Sequence, residues 1–223
     1  MSAAVATDIM PIEHIDDWEQ RLARHDAFWD CAIIDRPLVV MSIHQSNPDY
    51  PAPAAKEHAS FRDRWLDCEY RAEQMLHNLM NRLHLGDALP YAMPNLGPEV
   101  FSAYFGMEME YGERTSWSIP CIEDWNNIDH VRFSKDNFYW KKTLELTDAF
   151  LALGEGRFYT GYTDIHPGGD CLTAFRDPLN LNIDMIENLD HVKKLREYVD
   201  EVFVEVFNFF MDYLQDRRQA IAT

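Results

Sequence analysis

The chain has 223 residues, of which 47% are hydrophobic, and its formal net charge at pH 7 is −18. Such a length and composition predict one packed domain, spanning residues 1–223. An acidic surface repels nucleic acid and anionic membranes, so neither is expected as a partner. The sequence contains no apolar run of the length of a membrane span and no secretory leader. Its four cysteines are far apart and form no CxxC, which predicts a cytoplasmic protein with reduced thiols.

In the first half of the chain, apolar runs typical of strands alternate with segments whose apolar residues have helical spacing. From Trp18 onward the apolar residues are spaced as in a helix. The run from Pro37 to Ile43 is rich in Val and Ile, which predicts a buried strand. After a proline-rich loop, a long helix is predicted from Phe61 to Leu85, because Gly86 would stop it. A short strand and loop are expected between residues 87 and 98, and a short helix between Glu99 and Phe105.

The second half continues the alternation. The segment "TSWSIPCI" predicts a short strand, residues 137–153 a helix, and residues 157–165 the clearest strand. A short helix is expected from Cys171 with Asp170 as its N-cap. Apolar residues at spacings of three and four from Leu189 predict a long amphipathic helix.

Strands that alternate with helices favour an α/β fold with a parallel sheet. Three or four strand–helix units are visible in the sequence. A closed (β/α)8 TIM barrel needs eight units and about 250 residues, so we expect an incomplete barrel, about half of one. A smaller open α/β sheet is the alternative.

The segment "YTGYTDIHPGGDCLTAF" carries the strongest candidate site. Strand alternation places Tyr162, Asp164 and His166 on one side, at the C-terminal end of the predicted strand, where parallel-sheet enzymes place their chemistry. An acid beside an imidazole transfers protons or holds a metal. Tyr162, Asp164 and His166 are therefore the predicted catalytic residues, and Asp170 is either a substrate-binding residue or only a helix cap.

Two further places could bind a substrate. Asn95, in the loop "PNLGP", can present an amide to a ligand or can only form a turn. Arg114, Trp117 and Trp125 could line a pocket for an anionic or flat ligand, or the aromatic rings could belong to the core. The sequence has no GxGxxG, GxxxxGK[ST], HExxH or GxSxG, so phosphate binding by one of the known loops is unsupported.

The order of several segments resembles the uroporphyrinogen decarboxylase superfamily. These segments are "RLARHDAFWDCAIIDRPLVV", "GDALPYAMPNLGPEVFSAYFGM", "TSWSIP" and "YTDIHPGGDCLTAFRDPLNLNIDMIENLDHVKKL". The resemblance covers most of the chain from Arg21 to Leu214 and implies the N-terminal part of a (β/α)8 barrel. It implies a decarboxylase or another lyase, or a methyltransferase that works with a corrinoid protein and zinc.

The family's own residues do not carry over one for one. The Arg-rich motif that binds substrate carboxylates in the haem-pathway enzyme is absent, and so is the His-x-Cys of the methyltransferases. Only Asp164 is similar in position to the decarboxylase's active-site acid. The resemblance therefore implies a small-molecule substrate, with zinc and a corrinoid partner only as possibilities for a longer protein.

Two alternatives stay open. A half-barrel could be non-catalytic and act through oligomerisation or through binding of a partner, using open strand edges. A small metal-dependent hydrolase could use Asp164, His166 and Asp170 as ligands.

Overall fold

A computed structural model of the chain describes residues 9–220. Helices and strands are mixed along this part of the chain, as an α/β fold requires. The helices are α1 (Trp18–Trp29), α2 (Phe61–Leu66), α3 (Cys68–Met80), α4 (Val100–Ala103), α5 (Phe138–Gly154), α6 (Gly168–Arg176), α7 (Pro178–Glu187) and α8 (Leu189–Gln215), with a 3-10 turn at Trp125–Asn127. The strands are β1 (Val40–His44), β2 (Arg82–Gly86), β3 (Tyr91–Ala92), β4 (Glu108–Tyr111), β5 (Ser116–Ile119) and β6 (Tyr159–Thr160).

The strands form three small open sheets of two strands each. β1 pairs with β2 and β4 pairs with β5, both antiparallel, whereas β3 and β6 run parallel. Across residues 9–220 no sheet closes into a barrel. The coarse α/β prediction is therefore confirmed, and the predicted parallel sheet is reduced to one pair of strands.

The main core lies between α4, α5, α6 and α8. The amphipathic prediction for α8 is confirmed, because its buried residues recur at spacings of three and four: Val192, Leu195, Val199, Val202, Val206, Phe210 and Leu214. Asn137 begins α5 by accepting hydrogen bonds from the backbone N–H groups of Tyr139 and Trp140. Burial of apolar side chains from these helices stabilises this core.

A smaller core joins segments from the two ends of the described chain. The backbone N–H of Met10 donates to the carbonyl oxygen of Arg218 at 2.7 Å. Tyr159 of β6 donates its hydroxyl hydrogen to the carbonyl oxygen of Met10 at 2.8 Å, and the amide oxygen of Gln219 accepts from the N–H of Thr160. These contacts cover the side of β6 that does not face β3.

The predicted buried strand at Pro37–Ile43 is wrong in its burial. The strand begins at Val40 and ends at His44, and all five residues are exposed. Among the described strands it pairs only with β2. An apolar run therefore does not report burial here.

The predicted helix from Phe61 to Leu85 is also wrong in extent. At Asp67 the backbone leaves the helical region (φ −80°, ψ 87°), and its side chain accepts a hydrogen bond from the N–H of Tyr70 to begin α3. Asn81 then ends the helix, since its side chain bonds to the carbonyl oxygens of Tyr50 and His77. The residues after Asn81 form β2 instead of a last helical turn.

The predicted strand over residues 157–165 is reduced to Tyr159 and Thr160. Only these two residues have partners in β3, and Gly161 adds one more hydrogen bond, to Ala92. The chain then continues without regular structure to Pro167, and α6 begins at Gly168, whose φ is +61°. Asp170 therefore lies in the first turn of α6 and is not its N-cap, so that prediction was wrong.

Candidate functional site

The parallel pair β3–β6 determines which loops meet. Carboxyl ends of parallel strands lie at the same edge, so the loop after β3 and the loop after β6 are neighbours. The first loop carries Asn95 and leads to Glu99 before α4, and the second carries Asp164 and His166 before α6. The predicted position of the site, after the strand that ends near Thr160, agrees with this arrangement.

A cleft of about 580 Å³ lies at this edge, and we call it the acidic cleft. It is lined by Pro98, Glu99, Ser102, Ser118, Pro120, His166, Asp170, Thr173, Ala174, Asp177 and Pro178. Three of these lining residues are carboxylic acids, and none of those described is a lysine or an arginine. The cleft therefore favours cationic or neutral molecules over anions.

His166 lies between two carboxylates. Its Nε2 is 2.5 Å from Oδ1 of Asp164, and its Nδ1 is 3.3 Å from Oδ2 of Asp170. A charged imidazolium donates from both ring nitrogens, so a carboxylate beside each nitrogen favours the protonated ring. Partial burial alone would lower the pKa of His166, but the hydrogen bonds to Asp164 and Asp170 outweigh it and the pKa is raised.

Glu99 is the site residue that the sequence analysis missed. Its Oε2 atom is buried and has no hydrogen-bond partner within residues 9–220. Burial raises the pKa of Glu99, and the charge of Asp164 raises it further, while the N–H of Glu99 itself and His166 act in the opposite direction. A carboxyl group with a raised pKa holds its proton longer and can donate it to a bound molecule. The only sequence signal was an acid directly after Pro98, ahead of a short helix.

The other predicted residues have different roles. The ring of Tyr162 packs against Phe207 at 5.6 Å and is part of the core boundary. Asn95 uses its side-chain oxygen to accept a hydrogen bond from the N–H of Gly97, which makes it a turn residue here. The structure does not place either residue in the lining of the acidic cleft.

Arg114, Trp117 and Trp125 do not line one pocket. Arg114 borders a different cleft, beside Trp65 and Arg71. The indole N–H of exposed Trp117 donates to Glu110, and Trp125 is buried against the ring of His191. The described residues therefore place these three side chains in separate surroundings.

The site does not fit a metal. Within residues 9–220 no group of three or more His, Cys, Asp or Glu side chains is arranged to hold a metal ion. Asp164, His166 and Asp170 do lie together, but both imidazole nitrogens face carboxylate oxygens, so neither offers a free lone pair. The donor set does not match the zinc that the family resemblance implied as a possibility.

The last observations concern the cysteines, the length of the helices and similarity to known proteins. All four cysteines are free thiols. No helix between Ile9 and Ala220 combines the length and the apolar character that crossing a membrane demands. Comparisons with protein-family models, with curated proteins and with solved structures found no match for this chain.

Proposed function

We propose that the chain carries an acid/base enzyme site for a small organic substrate, with His166 and Glu99 as the proton carriers. One observation supports this above all others: an imidazole held between two carboxylates forms part of the wall of a cleft that is also lined by Glu99, whose Oε2 atom is buried and has no hydrogen-bond partner within residues 9–220. Asp164 and Asp170 orient the ring and keep it charged. His166 and Glu99 both line the wall of one cleft, and the long bond from Nδ1 of His166 to the exposed Asp170, at 3.3 Å, is the one that a substrate can replace to accept a proton.

Among the reactions that the sequence resemblance implies, this chemistry favours the lyase. In a decarboxylation the bond to the carboxylate carbon breaks, carbon dioxide leaves, and its bonding electron pair stays on the substrate carbon, which takes a proton from the acid. The groups of the acidic cleft can supply that proton. The acids of the cleft disfavour a polycarboxylate, so the substrate is a small molecule with no more than one carboxylate.

The finer parts of the resemblance belong to the same proposal. The N-terminal part of a uroporphyrinogen decarboxylase-like (β/α)8 barrel stays a proposal, and its support is the parallel pair β3–β6 with site residues after both strands. A cytoplasmic location and a corrinoid partner remain predictions of the sequence.

Solvent deuterium provides a test of the acid/base role. The protein is incubated in deuterium oxide with a set of small monocarboxylic acids that carry either no other charged group or one amino group. Deuterium in the products is measured by NMR. His166→Gln should abolish incorporation while leaving the melting temperature nearly unchanged. His44→Gln is the matched control, since His44 is an exposed histidine at the end of β1. Incorporation that is equal in wild type and His166→Gln would contradict the role of His166, and no incorporation in wild type would contradict the proposal.

A second candidate function is association with another copy of the chain. Met41, Ile43, Leu83 and Leu85 alternate onto one face of the β1–β2 ribbon, and the first three are 50%, 48% and 40% exposed. We call these four residues the apolar ribbon face. The described strands leave both outer edges of the ribbon without a partner strand, and such edges pair readily.

A second copy is the occupant that fits this face. The apolar ribbon face carries no charged side chain, so a two-fold contact brings no like charges together there although each chain carries −18. Light scattering should show a dimer in wild type that Ile43→Asp dissociates. Ser42→Asp, on the other face of the same strand, should leave it intact. A wild-type monomer that binds no hydrophobic dye would rule this function out.

A further inference from the structure

A second cleft, of about 720 Å³, lies beside the β4–β5 hairpin, and we call it the basic cleft. Its wall comes from the loop before α2, from α2 itself, and from the two hairpin strands. It is lined by Lys56, His58, Ala59, Ser60, Phe61, Arg62, Arg64, Met109, Glu110, Tyr111 and Ile119. Four basic side chains thus border one cleft in a chain whose net charge is −18.

The basic side chains at the two ends of the basic cleft differ in how closely carboxylates contact them. Lys56 and His58 both contact Asp67, so that carboxylate offsets the charge of Lys56. Arg62 has a loose ion pair with Glu108 at 3.8 Å, a long hydrogen bond to the hydroxyl of Tyr139 at 3.4 Å, and lies over the ring of Phe138. Arg64 donates to the carbonyl oxygen of Glu113. A guanidinium has five N–H donors, so each arginine retains several for a ligand.

Tyr111 supplies the independent observation. It lines the cleft, is only 7% exposed, and its hydroxyl has no hydrogen-bond partner within the described chain. A buried hydroxyl without a hydrogen-bond partner destabilises the folded protein. A ligand oxygen in the cleft would supply the missing partner. Burial raises the pKa of Tyr111, with a further increase from Tyr139, so the group stays a donor. The rest of the wall contains Ser60, the carboxylate of Glu110 and apolar residues, among them the Phe61 ring, which lies beneath the Arg64 guanidinium at 5.2 Å.

From this geometry we propose that the basic cleft binds a small organic anion, through Arg62, Arg64 and the hydroxyl of Tyr111, with a flat apolar body against Phe61, Met109 and Ile119. The acidic cleft and the basic cleft have opposite preferences, so this site does not depend on the function proposed for His166. It could serve a second substrate or an effector that carries one carboxylate or phosphate.

Calorimetric titration of the full chain with phenyl phosphate tests the proposal. Inorganic phosphate, which lacks the ring, and benzylamine, which has a cationic group on the same ring, are the comparison probes. We expect saturable binding of phenyl phosphate and weaker binding or none of the other two. Tyr111→Phe, Arg62→Gln and Arg64→Gln should each weaken binding, roughly tenfold for the loss of one hydrogen bond to a charged group. Arg132→Gln is the control, because Arg132 is an exposed arginine that also lies over an aromatic ring.

The same variants show when the proposal fails. An absence of saturable binding in wild type, equal binding of benzylamine, or full binding in both arginine variants would overturn it. The melting temperature of Tyr111→Phe is a second readout that does not depend on the probe. It should stay equal or rise, and a fall of several degrees would show that the hydroxyl is bonded within the fold and not available to a ligand.

Discussion

The acidic cleft and the basic cleft are built from the same kinds of element but differ in which strand pair positions them. The acidic cleft depends on the parallel pair β3–β6, which brings Glu99 and His166 together from positions 67 residues apart (166 − 99). The basic cleft depends on the antiparallel hairpin β4–β5 and on α2, so its basic residues come from one short segment. Long-range pairing therefore positions the proposed proton carriers, and a local segment positions the basic residues of the proposed anion site.

The largest effect should come from breaking the parallel pair. A Cβ added at Gly161 would lie 1.7 Å from the hydroxyl oxygen of Tyr91, which is next to the pairing of β3 with β6. Gly161→Ala should therefore lower the free energy of unfolding by about 1–3 kcal/mol, as overpacking does. Chemical denaturation measures it. NMR signals of His166 should shift more than those of Tyr111.

Gly169→Ala is the matched control for that variant. No atom lies within 4 Å of a Cβ built at Gly169, which is in the first turn of α6 beside Asp170. Its free energy of unfolding should be unchanged or raised by up to about 1 kcal/mol. Equal destabilisation by both substitutions would show that the contact between Gly161 and Tyr91 does not hold the pair together.

An intermediate effect on stability is expected from removing a tyrosine hydroxyl that has a hydrogen-bond partner, compared with removing one that has none. The hydroxyl of Tyr104 donates to Oγ1 of Thr143 at 2.9 Å, whereas that of Tyr111 has no partner in the described residues. Tyr104→Phe should cost about 0.5–1.5 kcal/mol of unfolding free energy, and Tyr111→Phe should cost none. Thermal denaturation of the two variants distinguishes them, and an equal loss in both would contradict the difference between the two hydroxyls.

The smallest effect is the pH dependence of the acidic cleft. The pKa of His166 is raised in the folded protein from its ordinary 6.5, so its contribution to stability is full below about 6.5 and is lost as pH rises through the higher folded value. The ring is 43% exposed, and solvent screening keeps this contribution below about 1 kcal/mol. His166→Gln should flatten the stability profile above pH 6.5. A profile with the same slope in the variant would show that another group is responsible.

Sequence patterns predicted the parts of the fold that depend on local signals. α5 and α8 follow from their spacing, and Asn137 begins α5 as its residue type suggests. The ribbon was misjudged because an apolar run looks the same whether a core or another molecule covers it. The break at Asp67 was missed because it depends on a side-chain cap inside a continuous helical pattern.

For a related reason, the sequence predicted only some of the residues of the candidate site. Asp164, His166 and Asp170 are close in sequence, so a turn alone brings them together. Glu99 joins them only through the pairing of β3 with β6, and no local pattern reports that pairing. The turn role of Asn95 and the core contact of Tyr162 likewise depend on partners that lie elsewhere in the chain.

The contact between Met10 and Arg218 has a consequence for how the protein opens. Both segments lie along the outer side of β6, and each is held by the other as well as by the strand. Release of either one would leave the second with fewer contacts, so the two should detach as one cooperative unit. In hydrogen exchange, the amide protons of Met10 and Thr160 should then become accessible at the same rate, although 150 positions separate them along the chain (160 − 10).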